Sequence, residues 1–197
     1  MKVLVATEKP FAAAAVNGIR EIVEGAGHEL ALLEKYPEKE QLLAAVAAAD
    51  ALIVRSDKVT ADVVAAAGQL KIVVRAGAGY DNLDLPSCTE RGIVAMNTPG
   101  QNSNAVAELA IGMMIYMSRN QFTPGTGCEI SGKTLGIIGF GNIGYLVAKK
   151  AVALGMDVLV YTNEIKEKHK RWNATFSLEK LYSTCDFVSV NIPATPF

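Results

Sequence analysis

Short apolar runs alternate along this chain with stretches in which apolar residues recur at helical spacing. That rhythm belongs to βαβ units and a parallel sheet. It predicts strands near residues 2–6, 29–33, 51–55, 71–75 and 93–96, with helices near 11–25, 38–48, 60–67 and 84–91 between them. The alanine runs Ala12–Ala15 and Ala44–Ala49 suit helices lying close on a sheet. Asn97-Thr98-Pro99-Gly100 then breaks the alternation, since Pro beside Gly marks a reversal or hinge. A long helix follows over about 102–119, with Val106, Leu109, Ala110, Met113 and Met117 at helical spacing, suited to filling a core or an interface. Residues 121–131, with Pro124, Gly125 and Gly127, read as a loop. Alternation resumes at Lys133, with strands near 133–138, 156–161 and 186–190 and helices near 142–154 and 177–184. The pattern therefore divides into two lobes, 1 to about 97 and about 98 to 197, without an internal repeat beyond the shared rhythm.

Composition narrows the class. The 197 residues are 50% hydrophobic and 20% charged, the balance of a soluble globular protein with a proper core. A net charge of −1 supplies no field to recruit nucleic acid or anionic lipid, so neither is an expected partner. No apolar stretch is long enough to span a bilayer, and Met1-Lys2-Val3-Leu4-Val5-Ala6 enters a strand pattern directly, without a signal peptide's apolar region. Cys88, Cys128 and Cys185 are odd in number and widely spaced, which suits neither a disulfide framework nor a zinc site. The expectation is a cytoplasmic protein whose cysteines are packing residues and which holds no metal.

The most informative run is Leu135-Gly136-Ile137-Ile138-Gly139-Phe140-Gly141-Asn142-Ile143-Gly144. It joins an apolar strand to Gly-x-Gly-x-x-Gly and then to a helical pattern, the physical form of a dinucleotide-binding turn. Gly139 permits the turn, Gly141 lets the backbone approach a pyrophosphate, and Gly144 lets helix and strand pack closely. The phosphates would sit on the unpaired N–H groups at the helix start. At the end of the next strand, Tyr161-Thr162-Asn163 places Thr162 where an NAD site usually has an acid for the adenine ribose hydroxyls. A neutral hydroxyl there does not repel a 2′-phosphate. The following stretch 164–171 carries four cations against two acids, which suits such a phosphate and equally suits a solvated helix face. NAD and NADP are both open.

Two further segments lie where parallel strands end. Val74-Arg75-Ala76-Gly77-Ala78-Gly79-Tyr80-Asp81-Asn82 is a glycine-rich turn whose N–H groups suit a carboxylate. Cys185–Thr195 is a strand running into a loop that suits the flank of a nicotinamide. With Arg55-Ser56, Asn97-Thr98-Pro99-Gly100-Gln101-Asn102, Val106-Ala107-Glu108, Ser131–Gly136 and Pro193-Ala194-Thr195, these segments follow one another in a characteristic order. In that order they resemble the D-isomer-specific 2-hydroxyacid dehydrogenases over the whole chain, most closely the phosphoglycerate dehydrogenase branch. The resemblance implies an α/β fold of two Rossmann- or flavodoxin-like parallel-sheet lobes, the second incomplete: a substrate lobe over 1–97 that lacks its return segment, and a partial NAD(P)-binding lobe over 98–197. It implies that the backbone of Gly77, Ala78 and Gly79 holds the substrate carboxylate, with Arg55, Ser56 and Asn102 beside the substrate and Arg55 suited to a phosphate. It further implies that Gly139, Gly141, Asn142, Ile143 and Gly144 cradle the pyrophosphate. Tyr161 and Thr162 would flank the ribose, while Asn191, Ile192, Pro193 and Thr195 line the nicotinamide side. On the residues alone, Arg55 equally suits pairing with an acid, and Asn102 equally suits capping the long helix.

Hydride transfer to a 2-keto acid needs a proton donor and a cation beside the carbonyl. In the family these are a His raised by a Glu, together with an Arg, and all three positions fall beyond Phe197. His28 and His169 match neither motif. The expected activity is therefore that of a 2-hydroxy or 2-keto acid oxidoreductase, acting on 3-phosphoglycerate or else as a glyoxylate or hydroxypyruvate reductase, with this chain expected to be inactive alone. A non-catalytic dinucleotide-binding module like the family's corepressors is the alternative. The Phe187–Ile192 strand is expected at an unpaired, aggregation-prone edge, and the full-length protein as a homodimer through the cofactor lobe and the 102–119 helix.

Overall fold

The computed structural model describes residues 1–161, 172–175 and 177–192. They form two compact units, Met1–Gln101 and Asn102–Phe197. The first contains β1 (Lys2–Thr7), α1 (Ala13–Gly25), β2 (Glu29–Glu34), α2 (Lys39–Val46), β3 (Ala51–Val54), α3 (Ala61–Ala66), β4 (Ile72–Arg75), α4 (Leu85–Glu90) and β5 (Val94–Asn97). All five strands run parallel, in the order β2-β1-β3-β4-β5. The chain moves outward from β1 to β2 and then reverses across β1 to β3. Right-handed crossovers then put α1 on one face and α2, α3 and α4 on the other. The second face carries the core, where Leu4, Leu52, Val54 and Val73 of the strands meet Leu42, Val46, Val63, Val64 and Cys88 of the helices.

The second unit opens with α5 (Ser103–Ser118) and a short 3₁₀ turn at Asn120–Phe122. It continues through β6 (Thr134–Ile138), α6 (Asn142–Ala153), β7 (Asp157–Tyr161), β8 (Ala174–Thr175), α7 (Leu178–Thr184) and β9 (Phe187–Val190). Its described strands are again parallel, in the order β8-β7-β6-β9. Ala107, Ile111 and Met114 of α5 and Val147, Ala148 and Ala151 of α6 pack with Leu135 and Ile137 of β6. Leu181 of α7 covers the opposite face with Ile138 and Leu159. It packs so closely that a Cβ on Gly136 would lie 2.7 Å from Leu181 Cδ2. Among the described strands β9 stands at the sheet edge, with Val188 and Val190 exposed.

Four features differ from the sequence pattern. The buried stripe of α5 is Ser103, Ala107, Ile111, Met114 and Ser118, whereas Leu109 and Met113 are 64% and 59% exposed. The helix is apolar nearly all round, so periodicity cannot choose its inner face. Small residues such as Ala107 decide it by admitting α6. Cys88 is buried and Cys185 half-buried, but Cys128 is exposed. The loop expected over 121–131 begins with a left-handed turn, φ 52° to 58° at Asn120, Gln121 and Phe122, held by the Phe122 ring edge-on to Tyr116 at 5.3 Å. The two-residue β8 is too short to leave an alternating pattern.

Both units use the same device at the amino ends of their strands. Asp50, just before β3, accepts the Lys2 N–H at 2.8 Å and the Lys71 ammonium at 3.1 Å. Asp186, just before β9, accepts the Thr134 N–H at 2.8 Å and the Lys133 ammonium at 3.4 Å. In each case the backbone N–H bond is the main cause holding the carboxyl below its ordinary value, with the lysine adding to it. These carboxylates protonate at lower pH in the native state than in the unfolded one, where the value is about 3.9. Their stabilisation is therefore present above the unfolded value and is lost as pH falls through the native one. Urea unfolding of Asp50→Asn is expected to show a stability deficit near pH 7 that is smaller in acid, below the unfolded value. An equal deficit at both would exclude this account. No helix among the described residues is long and apolar enough to cross a membrane.

Candidate functional site

In the second unit the strand order reverses between β6 and β9, because β7 and β8 lie on one side of β6 and β9 on the other. Ligands of open α/β sheets bind at the carboxyl ends of the strands flanking such a reversal. β6 ends there in the glycine turn. Gly139 has φ +86°, and its N–H donates to the Tyr161 carbonyl at 3.0 Å. A Cβ on it would lie 2.6 Å from Ile192 Cγ2 and 2.7 Å from the Asn191 carbonyl oxygen. Asn191 is held in turn, its N–H donating to the Ile138 carbonyl at 2.7 Å and its carboxamide to Ser189. Phe140 anchors the turn from below, buried edge-on against Tyr145 and Trp172 with ring centres 6.0 and 5.5 Å away.

Gly144 is the contact point of α6 with the turn. A Cβ there would overlap the Gly139 carbonyl oxygen and lie 3.2 Å from Ile137 Cγ2. Gly141 is the N-cap residue of α6, and no side chain caps the helix. A Cβ on Gly141 would meet nothing within 4 Å. The first N–H groups of α6, at Asn142, Ile143 and Gly144, therefore lack both a carbonyl one turn back and a capping oxygen, and they open beside a bare backbone. Such an arrangement suits an anionic diphosphate, to which the helix dipole would add attraction. Gly139, Gly141, Asn142, Ile143, Gly144, Tyr161, Asn191 and Ile192 thus gather around the carboxyl ends of β6, β7 and β9. Thr162, Pro193 and Thr195 lie outside the described residues, as does the basic stretch with His169.

In the first unit, β3 and β4 deliver two loops side by side, with Val54 and Arg75 in register. Arg55 and Ser56 are exposed just beyond β3. Beyond β4, the Gly77 N–H donates to the Arg75 carbonyl at 2.8 Å, and the Ala78 carbonyl accepts the Asn97 carboxamide at 2.7 Å. The Gly77 N–H is thus committed within the loop, and Ala78 and Gly79 are the two whose N–H groups stay available to a carboxylate. Arg75 had no signal in the pattern beyond ending a strand, yet its guanidinium occupies the space where a Gly77 Cβ would be. Its Nε is buried without a hydrogen-bond partner. Neither Arg55 nor Arg75 forms an ion pair among the described residues. Asn102 opens the other unit as the N-cap residue of α5, and its side chain makes no capping bond. His28 precedes β2 at the amino end of the sheet, opposite to these loops.

The sequence profile described as D-isomer specific 2-hydroxyacid dehydrogenase, catalytic domain, matches residues 5–184. The chain belongs to the D-isomer-specific 2-hydroxyacid dehydrogenase family. It is 40% identical to the hydroxypyruvate reductase of Thermotoga maritima over 181 residues, covering 85% of this chain and 59% of that protein. With the D-3-phosphoglycerate dehydrogenase of Mycobacterium tuberculosis it shares 39% identity over 176 residues, covering 81% of this chain and 33% of that one. The crystal structure of NAD+-bound 3-phosphoglycerate dehydrogenase from Entamoeba histolytica superposes with a TM-score of 0.91 at 48% identity, over 99% of this chain and 63% of that one. The chain thus spans less than two thirds of the length of these 2-hydroxyacid dehydrogenases. Both of its parallel α/β units match the fold of the family.

Proposed function

We propose that the protein is an NAD- or NADP-dependent oxidoreductase of D-2-hydroxy acids, with 3-phosphoglycerate the favoured substrate. The observation that carries this reading is the uncapped α6 N-terminus above Gly139, Gly141 and Gly144, a backbone cradle with no side chain to fill it. On this reading the second unit is the cofactor lobe and the first the substrate lobe. A nicotinamide dinucleotide held there supplies or accepts the hydride at the substrate's C2. The chain's own part is to bind and orient. The first N–H groups of α6 take the pyrophosphate, and Asn191 and Ile192 close the side of the turn toward the nicotinamide. The N–H groups of Ala78 and Gly79 take the carboxylate, and Arg55 and Arg75, both without acid partners, take a phosphate. NAD is supported by the Entamoeba histolytica relative and NADP by the neutral Thr162. The Thermotoga maritima relative favours hydroxypyruvate as the second substrate reading.

Titration of the 197-residue chain with NADH and NADPH, followed by calorimetry with 3-phosphoglycerate and with glycerate, tests the reading. Saturable nucleotide binding is expected, with the phosphorylated acid preferred by about ten- to a hundredfold, since a charge-assisted bond contributes about 1.5–3 kcal/mol. Binding of neither nucleotide would overturn it, and equal affinity for the two acids would favour hydroxypyruvate. The exposed Leu109, Met113 and Met117 of α5 support a homodimer through this helix, which sedimentation of the same sample reads directly.

A further inference from the structure

Beneath the paired arginine loops lies a buried polar node that the binding roles above do not use. Asp57 is only 5% exposed, and Tyr36 6%. Asp57 Oδ1 accepts two hydrogen bonds, from the Glu8 N–H at 2.7 Å and from the Tyr36 hydroxyl at 2.5 Å. The Asp57 carbonyl accepts the Asn82 carboxamide at 2.7 Å. The same two loops are joined again where the Val59 N–H donates to the Asn82 carbonyl and the Asp84 N–H donates to the Val59 carbonyl, both at 2.9 Å. Glu8 follows β1, Tyr36 follows β2, Asp57 follows β3, and Asn82 closes the glycine loop after β4. One residue therefore bonds to the loops at the carboxyl ends of three of the four other strands, β1, β2 and β4.

We propose that Asp57 is a positioning residue: it clamps the Arg55-Ser56 loop to the loops after β1, β2 and β4, and so sets the spacing of the arginines and the Ala78-Gly79 amides around a bound anion. This deepens the reading of the first unit as a phosphorylated-acid site and rests on it for the identity of the anion. The clamp is needed because these loops lie beyond the last sheet hydrogen bonds, and a cavity of about 510 Å³ lined by Tyr36, Ser56, Asp57 and Lys58 gives them room to shift. A buried carboxylate costs several kcal/mol unless hydrogen-bonded, so its bonds to Glu8 and Tyr36 are what keep it there. Burial first and the Asp57 bond second push the Tyr36 hydroxyl well above its ordinary range, so it remains a donor to Asp57 throughout the neutral region. Asp57 touches no ligand in this scheme. It acts through Arg55, Ser56 and Asn82, as supporting hydrogen bonds do when a site must be held in a productive geometry.

Hydrogen exchange and calorimetry on the 197-residue chain, with Asp57→Ala, Asp57→Asn and Tyr36→Phe, separate positioning from stability. At urea-matched global stability, Asp57→Ala is expected to speed exchange at Ser56, Ala78 and Gly79 by about tenfold or more, leaving residues 134–161 unchanged. Affinity for 3-phosphoglycerate should fall by about tenfold while NADH affinity holds, and Asp57→Asn, which keeps the acceptor oxygen, should recover most of the loss. Tyr36→Phe removes one bond and keeps the ring, so it gives the smaller change in the same direction if Asp57→Ala does not fold. Exchange that rises uniformly through the first unit, or not at all at those amides, overturns the clamp. If the unaltered chain takes no 3-phosphoglycerate, the substrate reading fails, while exchange at Ser56, Ala78 and Gly79 still decides for or against the clamp.

Discussion

Gly144→Val is expected to abolish dinucleotide binding and to destabilise the second unit, whereas Gly141→Ala is expected to weaken binding at unchanged stability. The two outcomes separate the packing of the cradle from its occupancy. A side chain at position 144 overlaps the Gly139 carbonyl oxygen and presses on Ile137, so α6 must move away from β6. Overpacking of this kind costs about 1–3 kcal/mol. It also shifts the first N–H groups of α6 off the phosphate position, where their value depends on direct approach. Gly139 cannot yield to make room, because its own φ of +86° and its contacts with Asn191 and Ile192 fix it. A methyl group at position 141 meets no protein atom, so it intrudes only on what lies in the cradle. Gly18→Ala, in α1 with open space around it, is the control, and should be neutral or stabilising by up to about 1 kcal/mol. Thermal unfolding and NADH titration of the three variants check the set. Undiminished NADH affinity in Gly141→Ala would place the phosphates elsewhere.

Arg75→Met is expected to raise the stability of the ligand-free chain and to lower its affinity for a phosphorylated acid. Opposite signs arise because the buried Arg75 Nε has no acceptor, and an unsatisfied buried donor costs about 1–3 kcal/mol. Methionine keeps most of the apolar stem and removes the unpaired charge. The same guanidinium, lying over Gly77 with no acid partner, is the cation an incoming phosphate would satisfy. Arg55→Ala should lower that affinity by a similar factor, about tenfold or more, without raising stability, because Arg55 is already solvated. Melting curves with and without 3-phosphoglycerate distinguish the cases. A lower melting temperature together with unchanged affinity in Arg75→Met would mean that the arginine is a packing residue and no anion ligand.

Much of the site could be read from local pattern. The glycine turn declares itself because each glycine answers a separate steric demand at a fixed spacing, and strand and helix periodicity on either side place it at the carboxyl end of a strand. The loops after β3 and β4 were legible for the same reason, as strand ends followed by Arg55-Ser56 and Gly77–Gly79. Arg75, Phe140 and Asp57 were not. Arg75 reads as the last residue of a strand, Phe140 as a spacer between glycines, and Asp57 as a surface acid before a helix. Phe140 and Asp57 acquire their roles from partners distant in the chain, Trp172 for the first and Glu8, Tyr36 and Asn82 for the second, and Arg75 from the way its side chain folds back over Gly77.

By itself, then, the amino-acid sequence determined the βα alternation, the glycine turn and the family, because these depend on periodicities and spacings within a few residues of one another. Only the tertiary structure decided the strand orders β2-β1-β3-β4-β5 and β8-β7-β6-β9, and hence where each sheet reverses. It also decided which face of the uniformly apolar α5 is buried, that the Gly77 N–H is already committed, and that Asp57 joins four loops. Such features follow from which strands become neighbours. Pairing joins residues far apart in the chain, so no local pattern encodes the hydrogen bonds and collisions that it creates.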